Sequence, residues 1–321
     1  AGAATHAAAR AAAWVAAQAT NGCGSVLIGA VLVLAGCAGS GSSARVRKLD
    51  ELPTEYRVLW KAWLSDQPDW AERREVALWD PRLTEFLVDN LARAMLATYG
   101  RSRIASPGSA GSGVFERSQA ELVSLGQHSV PTLIELTAIG DGATAFLCTS
   151  VLQRIGRPAL AATAELLERD APQARQRAAE LLGKLPHGRR AEPELRAALI
   201  RHLREDPHWM TRASCAESLG RRGARDVETE SARVALCLAL GDEEPEVARS
   251  ATVSLVRLDD PAAIPALINH LQRTQVAGEV TGNRLAQASL RGLSHTTQNL
   301  TPRQWRSWWR ENRPAPGRRN R

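Results

Sequence analysis

Asp206-Pro-His-Trp-Met-Thr-Arg212-Ala-Ser-Cys-Ala216-Glu-Ser-Leu-Gly220 is the stretch whose reading decides the fold of this chain. An Asp–Pro pair stops one helix and starts the next. Proline presets φ and has no N–H to lose in a first helical turn, while the aspartate accepts from the free amides there. The helix after this turn opens near an arginine, is lined by small residues and closes on Leu-Gly. The same unit recurs. Asp170, Asp206 and Asp242 are each 36 residues apart, and Arg175-Gln-Arg-Ala-Ala-Glu-Leu-Leu-Gly183 and Arg249-Ser-Ala-Thr-Val-Ser-Leu-Val256 repeat the helix. A weaker copy runs from Arg284 to Leu293 and a degenerate one from Ala143 to Gly156. An apolar helix precedes each copy, over 130–137, 159–167, 195–203, 231–240 and 262–271. One such pair cannot bury its apolar face alone, so a period in the mid-thirties built of two helices and a capped turn predicts stacked pairs.

The Asp–Pro turn, the arginine and the Leu-Gly ending resemble HEAT repeats, of the bacterial type grouped with phycobilisome-lyase-like HEAT proteins, over residues 115–313. The resemblance implies an all-α protein, an α-solenoid of stacked helix pairs preceded by a small helical block. It is nearly silent on function. The solenoid ends on Thr301-Pro-Arg-Gln-Trp-Arg-Ser-Trp-Trp309, where Thr301 and Gln304 spell a capping box and Pro302 takes the first helical position. Trp305, Trp308 and Trp309 then share one face and cap the last repeat; the rival reading is an aromatic-basic surface for anionic lipid or polysaccharide. A basic tail closes the chain over 314–321.

Upstream, residues 49–100 form the helical block. Leu59, Trp60 and Trp63 share a face, and at that spacing a tryptophan cluster is core rather than a sugar platform. Asp80-Pro81 starts a helix striped by Leu83, Leu87, Leu91 and Ala94 that ends at Gly100. Residues 101–114, rich in Ser and Gly, read as a linker.

The first residues speak to location. An uncharged apolar run, Val26 to Leu34, ends in Leu34-Ala-Gly-Cys37, which resembles the lipobox of bacterial lipoproteins. The run is too short for a permanent span. The resemblance implies a signal peptide over 1–36, a lipidated Cys37, and a flexible tether over 37–48. It places the protein in the bacterial cell envelope, on the periplasmic side of the outer membrane in a diderm host.

Charge excludes one class of partner. Residues 1–50 hold four cations and one acid, 51–302 hold 30 against 32, and 303–321 hold seven arginines and one glutamate. A nucleic-acid-binding domain carries its basic patch on the folded surface, and here that part is near neutral. Cys148, Cys215 and Cys237 sit in apolar helices as small hydrophobes. The histidines are scattered, and no metal set, phosphate loop or nucleophile motif is present. The expectation is a non-enzyme without cofactor, metal or small-molecule substrate, binding a protein partner of the envelope. The alternative is a helical enzyme or lyase-type accessory with its site between the Trp-rich block and the solenoid.

Arg175, Arg212, Arg249 and Arg284 form the recurring polar ladder, the first three of them being the candidate partner-binding residues. They either stitch each repeat to the aspartate of a neighbouring turn or line a concave face that receives an acidic partner. Trp209, beside the central turn, is the candidate anchor.

Overall fold

The computed structural model describes residues 31–33, 46–48, 52–102, 110–185, 192–221 and 229–313. Cys37, the leader apart from residues 31–33, the tether apart from residues 46–48, and the 314–321 tail lie outside the described residues. Val31–Val33 pairs antiparallel with Val46–Lys48. All else that is regular is helical, in fifteen α-helices among the described residues. The chain is an all-α solenoid, and it divides into two compact units between Ala162 and Thr163.

The first unit holds α1 (Thr54–Leu64), α2 (Trp70–Leu78), α3 (Pro81–Ser102), α4 (Ala110–Ser124), α5 (Val130–Ile139) and α6 (Gly142–Ile155). Of the residues expected in its core, Leu59, Trp60, Trp63, Leu87 and Leu91 are buried, while Leu83 and Ala94 are half-buried. Trp60 and Trp63 stack at 4.7 Å, both buried. The Asp80 carboxylate accepts from the Arg82 N–H at 2.8 Å and starts α3. Two boundaries move from their sequence reading. Helix α3 runs through Gly100 to Ser102, and α4 begins at Ala110, inside the Ser/Gly stretch. The block is also tied to α4. Arg117 donates to the Trp63 carbonyl at 2.5 Å and pairs with Asp66, while Tyr99 lies against Phe115. Short side chains do not break a helix whose far end is held by such contacts. The division into two compact units falls further along the chain, between Ala162 and Thr163.

Helix α7 (Ala159–Leu167) carries the division within it. The second unit continues with α8 (Pro172–Leu182), α9 (Glu192–Glu205), α10 (Trp209–Arg221), α11 (Thr229–Ala239), α12 (Pro245–Leu258), α13 (Ile264–Val276), α14 (Val280–Ser294) and α15 (Pro302–Asn312). Its even-numbered helices form one layer, with α8 against α10, α10 against α12, and α12 against α14; in the other layer α9 meets α11.

The small residues explain how closely the even layer packs. Ala178, Ala216 and Ala251 are fully buried. The Ser218 hydroxyl donates to the Ala179 carbonyl at 2.5 Å, across two repeats. A Cβ on Gly183 would stand 2.9 Å from Ser218 Cα, and one on Gly220 would stand 2.6 Å from Ser254 Cα. The Leu-Gly ending of the repeat is therefore a packing requirement: backbone meets backbone there.

Gly220→Ala tests this by the sign of its effect. Helix propensity alone favours alanine by about 1 kcal/mol, whereas overpacking a tight contact costs about 1–3 kcal/mol. The opposing Ser254 Cα belongs to the backbone, which cannot swing aside, so the clash wins. The variant should melt below the parent; a raised melting temperature would show that the two helices have room to separate.

Candidate partner-binding surface

Each repeat turn is built around one arginine. The Arg175 Nε donates to Asp206 Oδ2 at 2.7 Å and its Nη2 to Oδ1 at 3.0 Å, while Nη1 donates to the carbonyls of Arg169 and Asp170. One repeat later Arg212 does the same, with Asp242 at 2.9 and 2.8 Å and the Asp206 carbonyl at 3.0 Å. Each guanidinium thus closes its own turn and grips the carboxylate of the next. The Asp206 carboxylate also accepts from the His208 N–H at 2.9 Å, and Nδ1 of His202 lies 3.1 Å from it. Burial alone would raise the Asp206 pKa. The fork from Arg175, the His208 amide and His202 outweigh that burial and hold it below the ordinary carboxylate range.

The ladder stops at Arg249. That side chain is partly exposed and pairs with Glu246 on its own helix. The residue 30 positions onward, where Arg212 finds Asp242, is Glu279 at the start of α14, beyond a turn closed by its own amide on the Thr274 carbonyl. Arg284 is exposed. Of the candidates read from the sequence, Arg175 and Arg212 are buried with their donors engaged inside the fold, Arg249 faces outward, and Trp209 is half-buried. The structure does not bring these four onto one exposed face.

What it does open is a groove in the odd-numbered layer, absent from the sequence reading. Pro193, Ala197, Ile200 and Arg204 recur at helical spacing on α9 and face Ser231 of α11 across a cavity of about 370 Å³. Val234 and Leu238 lie one and two turns beyond Ser231, and they are 44% and 60% exposed. Ala197 and Ile200 make part of the α9 side apolar, and Val234 and Leu238 continue the Ser231 face of α11 beyond the cavity. Arg196, Arg201 and Glu205 complete the lining; Arg196 is buried, and Arg201 pairs with Glu168 of the turn before it. Helical spacing at 193, 197, 200 and 204 was visible in the sequence. That the α11 stripe would lie beside it, uncovered, depends on the stacking.

Among the described residues no group of three or more His, Cys, Asp or Glu side chains converges in a metal-ligating cluster. Cys148, Cys215 and Cys237 are free thiols. Burial pushes the Cys148 thiol up to about 12 and raises the other two as well, which leaves all three as thiols rather than nucleophilic thiolates at neutral pH. No described helix is long and apolar enough to cross a membrane.

Against known families, residues 159–232 and 197–281 match HEAT repeats, which spans α7 to the start of α14. Among solved structures, an X-ray structure of Escherichia coli YibA, a structural-genomics target, is 17% identical with a TM-score of 0.48, covering 65% of this chain and 72% of that one. No curated protein matches the chain.

Proposed function

We propose that this chain, whose residues 159–281 match HEAT repeats, is a non-catalytic scaffold that holds another protein in the α9–α11 groove. The observation that carries the reading is the groove's make-up. Ala197 and Ile200 are apolar in its lining, Val234 and Leu238 are exposed next to it on α11, and Arg201 and Arg204 stand at its edge with one acid, Glu205. An apolar strip with arginines beside it is the composition of a protein-binding hot spot. It suits an amphipathic segment with acidic flanks.

The same proposal places the scaffold at the bacterial cell envelope through a lipid on Cys37. Its support is the Leu34-Ala-Gly-Cys37 box and the small-residue stretch directly after it. Mass spectrometry of the native N-terminus should find a diacylglyceryl-modified Cys37 as first residue, and Cys37→Ala should release the protein from membranes. An intact leader with an unmodified cysteine would defeat the anchoring.

The groove is tested by site-directed photo-crosslinking in cells. A photoreactive residue at position 238 should capture a partner, and the same residue at exposed position 284 should not. Val234→Asp with Leu238→Asp should cut the yield about tenfold or more, the order of effect for losing two apolar contacts at a hot spot. Equal crosslinking from both positions would remove the groove from the proposal.

A further inference from the structure

The outward side of α15 carries an unmatched line of charge. Arg303, Arg306, Arg310 and Arg313 stand at i, i+3, i+7 and i+10, so they fall in one stripe about 15 Å long. All four are exposed. Seven other arginines of the second unit, Arg175, Arg201, Arg212, Arg221, Arg233, Arg249 and Arg257, sit against a carboxylate. Among the described residues, none of Arg303, Arg306, Arg310 and Arg313 does, the last being the cap residue just past the end of α15. Arg306 reaches Gln272 on α13, and Arg310 bonds only within its own helix, to the Arg306 carbonyl and the Ser307 hydroxyl.

Fold stability accounts for part of this line. A cation suits the C-terminal end of a helix, which covers Arg310 and Arg313. Arg303 is the reverse case. It occupies the first turn, where the helix dipole disfavours a cation, and no acid accompanies it there. Four like charges so spaced also repel one another. Neither the helix dipole nor a carboxylate in the first turn accounts for Arg303, and an anionic partner along the stripe would.

We propose that this stripe docks an acidic helix of a protein partner, one bearing carboxylates at the same i, i+3, i+7, i+10 spacing. Two such helices laid side by side place each carboxylate opposite a guanidinium, and arginine's planar fork favours that match. A lipid surface fits less well. A helix lying in a bilayer interface presents its large apolar side chains to the membrane, whereas Trp305 is fully buried, with its Nε1 donating to Gln287 at 3.1 Å. Trp308 and Trp309 are half-covered. This surface lies apart from the α9–α11 groove, and the two readings stand or fall separately.

The experiment uses the full chain and a fluorescein-labelled synthetic helical peptide with glutamates at the matching spacing. Its control is a peptide of the same composition with glutamates distributed around the helix. Anisotropy titrations should show the striped peptide binding several-fold tighter, with affinity falling as salt is raised. Arg303→Glu with Arg310→Glu and Arg313→Glu should weaken binding about tenfold. Arg306 is left alone because it holds α15 to α13. Thermal melting of the variant checks that it folds, and Arg303→Gln with Arg313→Gln, which removes no hydrogen bond, gives a milder second reading expected at about threefold. Equal affinity for the two peptides overturns the proposal, as does an unchanged affinity in the folded variants. Tighter binding to phosphatidylserine vesicles than to the striped peptide would overturn it too, by assigning the stripe to lipid.

Discussion

Asp206→Ala should lower the melting temperature by the order of 10 °C, the largest single effect of a polar substitution in this protein. The Asp206 side chain is 1% exposed and that of Arg175 11%, so solvent does little to screen the pair. Removing the carboxylate leaves a buried guanidinium without its counter-charge and strips the cap from the start of α10. Breaking such a pair from one side costs about 3–5 kcal/mol. A buried pair replaced as a whole behaves differently. Arg175→Met with Asp206→Leu should recover much of the loss, because no uncompensated charge remains. The same carboxylate sets the response to acid. Its folded pKa is depressed, so its contribution is complete above the unfolded carboxylate value near 4 and is lost as pH falls through the folded one. Asp206→Asn should therefore flatten the stability profile below about pH 4 relative to the parent. Denaturant titrations at stepped pH decide this. A variant profile parallel to the parent's would mean that the acid response comes from other carboxylates.

Trp305→Ala is the second large effect, at about 3–5 kcal/mol for an aromatic ring removed from a packed core. The indole is fully buried and its N–H is held by Gln287, whose amide in turn donates to the Leu300 carbonyl at 2.7 Å. One side chain thus fastens α15, the loop before it and α14 together. Repeat stacks lose structure from an uncapped end. Hydrogen exchange should accelerate first in α13 to α15 and only later in α9 to α12. Trp305→Phe should lose less, since most of the apolar volume stays. Uniform acceleration along the whole second unit would show that α15 is not acting as a local cap.

The repeat was legible because its signals are short-range. Asp206-Pro207 and Thr301-Pro302-Arg-Gln304 specify helix starts with four residues or fewer, and the capping box forms as written. The arginine ladder was half legible. The spacing told that Arg175 and Arg212 could reach the next turn, and they do. It did not tell that Arg249 would turn to Glu246, since that depends on the geometry of the turn before α14. Boundaries set by tertiary contact were not legible either. Gly100 looks like a helix end and is passed through, because the decision rests on packing well outside the local sequence. Trp79 makes the same point in reverse: it is 89% exposed while Trp60 and Trp63 are buried, and composition cannot separate them. The groove needed α9 and α11, with a whole helix between them in sequence, to be seen together.

Gly183 against Ser218 and Gly220 against Ser254 bear on how the second unit would deform. Contacts between backbones tolerate almost no change of spacing, whereas the odd-numbered layer is joined across repeats by long side chains such as Arg201 to Glu168, and it leaves a cavity where α9 meets α11. Such a stack has the elasticity of a laminated strip with one inextensible ply. It stretches little along its length, but it bends readily about the even-numbered layer, and each small bend opens or narrows the groove on the opposite side. Mechanical strain and occupancy of the groove would therefore share one coordinate, and a seated segment would stiffen the strip against flexing.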